Sequence, residues 1–283
     1  MSENELPRAR RNAGPRFCPQ ACRRWRLLQG GVVIVLLAGC GANRSSQQET
    51  DAKLAPGRSG IVLSVESKTA QRRSWNESIS NVESGTTTEI DVDEPIDDRQ
   101  LEDLQRIPQL EVLKLGQAQV SVPGLKSLRH VAQLRQLVMR GEPIEDAGLE
   151  QLGALKSLRV LNLPRTRISN DGLRHLAAFS DLQLLRLGSP VLDDDGLRRI
   201  AELCRSQLLQ LKFLHLMAPG VSDAGLAAVA EIKSLQSFYL DDSSVTDDGL
   251  ERLILDRPDL HIHVDQRHSD RDPQRGHDRP DRR

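Results

Sequence analysis

The chain has 283 residues, of which 38% are hydrophobic, 2% aromatic and 28% charged. That composition excludes a multi-span membrane protein, and so few rings leave a core of aliphatic side chains, which suits thin repeated layers better than one large globule. Lys and Arg (39) nearly balance Asp and Glu (40), which excludes a wholly basic nucleic-acid binder.

Residues 1–26 carry seven arginines against Glu3 and Glu5, and the apolar run LLQGGVVIVLLAG follows over residues 27–39. The run is shorter than the ~20 apolar residues that a spanning helix needs. A basic segment before a short apolar one is the layout of a secretory signal peptide. The run ends in Leu37-Ala38-Gly39-Cys40. This resembles the bacterial lipobox, an aliphatic residue and two small ones before a cysteine. The resemblance implies cleavage after residue 39, a diacylglyceryl lipid on Cys40, and a bacterial cell-envelope address. Removal of residues 1–39 leaves 32 basic and 38 acidic residues. The resulting net charge argues further against a nucleic-acid partner.

Cys18 and Cys22 fall in the segment expected to be removed, and no second cysteine pair completes a metal site. Cys204 is expected to be a small buried hydrophobe on a helix. Residues 40–85 are rich in Ser, Gln, Glu and Thr and read as a flexible tether.

From residue 96 the chain repeats, mostly every 24 residues. A Gly-Leu step recurs at Gly124, Gly148, Gly172, Gly196, Gly225 and Gly249. A pattern L-x-x-L-x-L recurs from Leu110/Leu113/Leu115 to Leu235/Phe238/Leu240. The last two apolar positions alternate with period two, as in a strand with one buried face. Apolar residues at three-residue spacing, such as Leu149/Leu152/Leu155, mark a helix covering the same core. Ser169, Ser222 and Thr246 are candidate N-caps. The unit over residues 192–220 is five residues longer, with the extension expected at 205–209, between helix and strand. Ile90 and Val92 fit an edge strand at the start. Leu260, Ile262 and Val264 fit one at the end, shifted by one residue. Residues 266–283 hold six Arg, four Asp and no apolar residue and read as a disordered tail.

These units resemble leucine-rich repeats, in the variety with a full convex helix and an I-[ST]-D-x-G-L junction found in F-box-associated repeat domains and bacterial surface proteins. The resemblance implies an α/β solenoid of about six or seven repeats over residues 86–265. Its curved parallel sheet would lie on the concave side, its short helices on the convex side, and protein would bind to the concave face.

Three columns between the strand leucines are assigned to that face. Arg135 and Arg159 stand in the first, Leu184 and Phe213 in the second, and Arg186, His215 and Tyr239 in the third. Arginine and aromatic residues are enriched at protein interfaces, so these seven form the candidate binding surface for an unidentified protein. His261 and His263 share a strand face but lack further ligands for a metal. No G-x-S-x-G, P-loop or H-E-x-x-H motif is present. The expectation is a monomeric, non-enzymatic, membrane-anchored binding module without cofactor or metal. The alternatives are an adaptor of the F-box-like type, against which residues 41–95 offer no amphipathic helix, and an envelope spacer without ligand.

Overall fold

The computed structural model describes residues 73–141, 143–206 and 208–265, with the backbone of 267–268. Cys40, the leader and most of the expected tether and tail lie outside the described residues.

Eight parallel strands form one open sheet in chain order. They are β1 (Glu89–Asp97), β2 (Val112–Gln119), β3 (Gln136–Gly141), β4 (Val160–Leu163), β5 (Leu184–Gly188), β6 (Phe213–Met217), β7 (Ser237–Asp241) and β8 (His261–Val264). A short β9 (Arg267–His268) returns antiparallel along β8, so the backbone of the expected tail begins as a strand. The helices are α1 (Trp75–Glu83), α2 (Asp98–Leu101), α3 (Val122–Leu125), α4 (Asp146–Leu152), α5 (Asp194–Arg205), α6 (Asp223–Glu231) and α7 (Asp247–Asp256). This is a leucine-rich repeat solenoid.

The period-two reading of the strands holds. One inward column runs Ile90, Leu113, Leu137, Leu161, Leu185, Leu214, Phe238 and Ile262, each at most 1% exposed. Leu110, Leu134, Leu158, Leu182, Leu211 and Leu235 enter the core just before the strands. Helix residues such as Leu149, Leu152, Leu173, Leu176 and Phe179 close it from the other side. Each such side chain removed from water contributes roughly 1.5–3 kcal/mol, and no single layer can bury its own face.

The helical side is less regular than the resemblance implies. α2 and α3 are single turns, continued as 3-10 helix over Glu102–Arg106 and Lys126–His130, and one repeat has only the 3-10 segment Gly172–Ala178. Unit length alone does not set this, since α6, with 9 residues, also sits in a 24-residue unit. The longer unit carries α5, with 12 residues, so its extra length enters the helix as well as the turn. Cys204 sits on α5, half-buried against the core, and burial pushes its thiol up to about 11.

The tether reading fails at its C-terminal end. α1 lies inside residues 40–85, starts at the N-cap Ser74, and buries Trp75, Ile79 and Val82 on the first repeat. It is an amphipathic helix of the kind thought absent before the repeats, but its apolar face is already covered. The packed unit therefore begins before residue 86. The last strand differs too: Ile262 pairs opposite Phe238 and Val264 opposite Leu240, with no shift. Only Leu260 is displaced, because the turn before β8 is one residue shorter.

The junction signature has a physical cause. An acidic residue at the start of one helix reaches the cap of the next. Asp146 accepts from the backbone N and Oγ of Ser169 at 2.7 and 2.6 Å. Asp194 does the same for Ser222 at 2.8 and 2.7 Å, and Asp223 for Thr246 at 2.7 and 2.6 Å. Asp98 makes the same pair of bonds to Ser121. Each capped residue in turn accepts from an N–H of its own helical segment, as Ser169 Oγ does from Gly172 N at 3.1 Å. The following glycine makes room: a Cβ on Gly172 would stand 1.9 Å from Asp146 Oδ1, and one on Gly249 2.2 Å from Asp223 Oδ1.

Gly172→Ala therefore displaces Asp146 from Ser169. The expected loss is about 1–3 kcal/mol, because two charge-assisted bonds break, less a partial offset from helix propensity. The measurement is a double-mutant cycle in urea. In an Asp146→Ala background the penalty of Gly172→Ala should vanish; an undiminished penalty there would show that the glycine serves something else.

Candidate functional site

The face of the sheet opposite the helices carries a row of one residue per strand. Val138, Asn162, Arg186, His215, Tyr239 and His263 stand opposite one another on β3 to β8. A second row, two residues earlier, holds Val160, Leu184, Phe213, Ser237 and His261.

The C-terminal half of these rows is tightly organised. His215 Nε2 lies 2.8 Å from Asp241 Oδ2. The Tyr239 ring stacks on His263 with centroids 4.5 Å apart and planes 12° from parallel. His215 lies 5.5 Å from Tyr239 on the other side. His261 meets His263 edge-on at 4.4 Å, and their Nε2 atoms share a 2.6 Å hydrogen bond, one donating and the other accepting. Stacking and hydrogen bonding fix these rings before any partner arrives, which lowers the ordering cost of binding. Among the described residues no group of three or more His, Cys, Asp or Glu is placed to hold a metal.

Arg186 is the cation of the row. Burial pushes its guanidinium below the usual value; Asp241 opposes that shift and Arg140 reinforces it. Its Nε is buried without a hydrogen-bond partner, and so is Asn162 Oδ1 on the neighbouring strand. A cation already partly stripped of water loses less on meeting an anion than a fully hydrated one.

The predicted residues are placed unevenly. Arg186, His215 and Tyr239 share the outer row, and Phe213 lies half-buried beside them in the second. Leu184 belongs to the same second row but is only 2% exposed, and His215 is 9% exposed, so neither offers the open contact area expected of it. Arg135 and Arg159 stand one residue ahead of β3 and β4. Their carbonyls each accept from two successive N–H groups of the next repeat, and Arg135 pairs with Glu111 at 3.5 Å. The first predicted column is thus a strand-entry column, out of phase with the two rows. Asn162, Asp241, His261 and His263 take part in the same face but stand outside the seven candidate residues. The assumed shift of the last strand hid the two histidines, because it obscured that His263 faces Tyr239.

Neither a protein-family model nor a curated protein matches the sequence. Among solved structures the chain is similar to an internalin of Listeria monocytogenes, with 17% identity and a TM-score of 0.43 over 63% of this chain and 53% of that one. It is also similar to a leucine-rich repeat protein of Leptospira interrogans, with 18% identity and a TM-score of 0.38 over 57% of this chain and 38% of that one. The chain thus spans about half the length of the first and less of the second.

Proposed function

We propose that this chain is a non-enzymatic protein-binding module, held at a bacterial cell envelope by a lipid on Cys40, that receives its partner on the open face of the sheet. The observation that carries the reading is the pre-ordered row Arg186–His215–Tyr239–His263, with the apolar Phe213 beside it. It combines a half-desolvated cation, stacked rings and an apolar anchor on adjacent rigid strands, the composition from which interface hot spots are built. The anchor rests on Leu37-Ala38-Gly39-Cys40 at the end of the apolar run. An adaptor role would need a free recruitment helix, and the apolar face of α1 is spent on the first repeat.

The test is a photo-crosslinker at Arg186, with Arg198 on the exposed side of α5 as control, irradiated in native membranes. A discrete adduct from Arg186 alone, abolished by Tyr239→Ala in the same chain, is the expected result. No adduct from either position, or the same diffuse set from both, would favour a spacer with no specific ligand.

A further inference from the structure

The strands shorten across the first half of the sheet, from 9 residues in β1 and 8 in β2 to 6 in β3 and 4 in β4. Two bulges produce the steps. Val92 pairs with Leu115 and Pro95 with Gln117, so β1 gains a residue on β2. Leu115 pairs with Met139 and Ala118 with Gly141, so β2 gains one on β3. Bulges bend a strand and re-aim its side chains. Here they leave a cleft of about 490 Å³ at the exit ends of β2, β3 and β4, with Gln117 and Gln119 on one side and Arg140 and Arg165 on the other. The backbones meet closely beneath it: Gly141 has φ 132°, and a Cβ there would stand 2.1 Å from the Ala118 carbonyl oxygen. This is a position that only glycine fills without strain.

Arg140 and Arg165 are exposed, and among the described residues neither has an ion pair. Arg186, two strands along from β3, is near enough to feel Arg140 as a repelling charge. Three guanidinium groups thus come from β3, from the second residue after β4, and from β5, on a chain whose acidic residues otherwise outnumber its basic ones once the leader is removed. Strands lie ~4.8 Å apart, and Arg186 stands opposite Asn162 and in register with Val138, so the cations run in a short oblique line rather than a cup. A line suits several carboxylates on an extended segment better than one compact anion. On the β1 side Lys114 already pairs with Glu89 and Asp91, while Asp241 bounds the other end. A long polyanion such as a nucleic acid would run on to the Asp241 carboxylate, whereas a short segment would not. The glutamine amides offer partners to a peptide backbone.

We propose that the cleft formed by Arg140, Arg165, Gln117 and Gln119, with Arg186 beside it, receives a short acidic peptide segment of the protein partner. The inference rests on the protein-binding reading and supplies its chemistry. Arginine is suited to the task because its planar fork can grip a carboxylate through two parallel bonds.

The experiment is fluorescence anisotropy of labelled octaglutamate and octaglutamine with the purified full-length chain at low and high salt. Octaglutamate should bind saturably, octaglutamine should not, and salt should weaken the complex. Arg140→Gln with Arg165→Gln should weaken binding by about tenfold or more, at an unchanged thermal midpoint, while Arg198→Gln leaves it intact. Equal binding of both peptides, or undiminished binding by the double variant, overturns the proposal. So does displacement of octaglutamate by millimolar inorganic phosphate or tighter binding of a single-stranded oligonucleotide. If Arg186 crosslinks a partner but octaglutamate does not bind, the binding face stands and its acidic chemistry falls.

Discussion

Trp75→Ala should lower the unfolding free energy by about 3–5 kcal/mol, the usual range for deleting a large buried aromatic side chain. Trp75 is 1% exposed at the start of α1. Its indole N–H donates to Asp103 Oδ2 at 3.0 Å, and its backbone N–H donates to Glu94 Oε1. The substitution therefore opens a cavity and strips the first repeat of its lid. Ile79 and Val82, also at most 2% exposed, would lose the wall they share with it. Urea unfolding followed by far-UV circular dichroism measures the change as a lower midpoint. A residue in a flexible tether would give no shift at all, so the result separates cap from tether. Trp75 is also the only tryptophan after Cys40. In a chain starting there, its fluorescence reports on the cap alone.

Arg257→Met should cost about 2–4 kcal/mol, for an unrelated reason. Arg257 is 4% exposed and ends α7. Its Nη1 donates to the Ile232 carbonyl and its Nη2 to the Leu235 carbonyl, both at 2.9 Å. These carbonyls flank the turn that leads from α6 into β7. The same guanidinium grips Asp259 through Nε at 2.9 Å and Nη2 at 2.8 Å. Methionine fills much of the volume but leaves the buried Leu235 carbonyl without a donor and the Ile232 carbonyl with only the Leu235 N–H, the costly side of hydrogen-bond removal. Arg257→Lys should recover less than half of the loss, since one ammonium cannot span both carbonyls and the carboxylate. Asp259→Asn should cost under about 1 kcal/mol, because that carboxylate is mostly exposed to water. Thermal or urea midpoints of the three variants give the ordering. Equal losses from Arg257→Met and Asp259→Asn would mean that the ion pair, not the carbonyl clamp, holds the C-terminal end.

The repeats were legible because a solenoid writes its core in the sequence several times over. A leucine that recurs at a fixed interval cannot be a local accident, and period-two alternation then tells inside from outside. The ends were less legible because they occur once. The segment WNESISNVE is mostly polar, and its apolar face is only Trp75, Ile79 and Val82. Composition hides such a face, although Ser74 three residues before Glu77 is the spacing of a helix start. Leu260 misled in the opposite direction. It suggested a shifted last strand, whereas the shortened turn absorbs the missing residue and keeps Ile262 in the column.

The binding face was legible as a set of columns but not as a site. Period two fixes that Arg186, His215 and Tyr239 look the same way, and it should have set Arg135 and Arg159 apart. It does not tell which side chains lie down on their neighbours. Leu184 is buried on the outer face of the sheet, and His215 is held by Asp241 from the neighbouring strand β7. The bulges that open the cleft were equally silent, since an inserted residue near Gly116 looks like any other loop residue until its pairing is known.

The junction between repeats also bears on how such a chain changes over time. Asp98, Asp146, Asp194 and Asp223 each hand a carboxylate forward to a hydroxyl in the next unit, and the glycine that clears its path travels with the receiving unit. Two junctions depart from this coupling: α3 begins with Val122 and faces Glu145, and Asn170 pairs with Asp193. Asp247, the matching residue of the last helix, is exposed with no further unit to engage. In-frame duplication of the unit that carries α6 would set Asp223 against the Ser222 of the copy and preserve the coupling to Thr246. At that junction the array can lengthen its binding face by unequal crossing-over, while the caps built on Trp75 and Arg257 stay where they are.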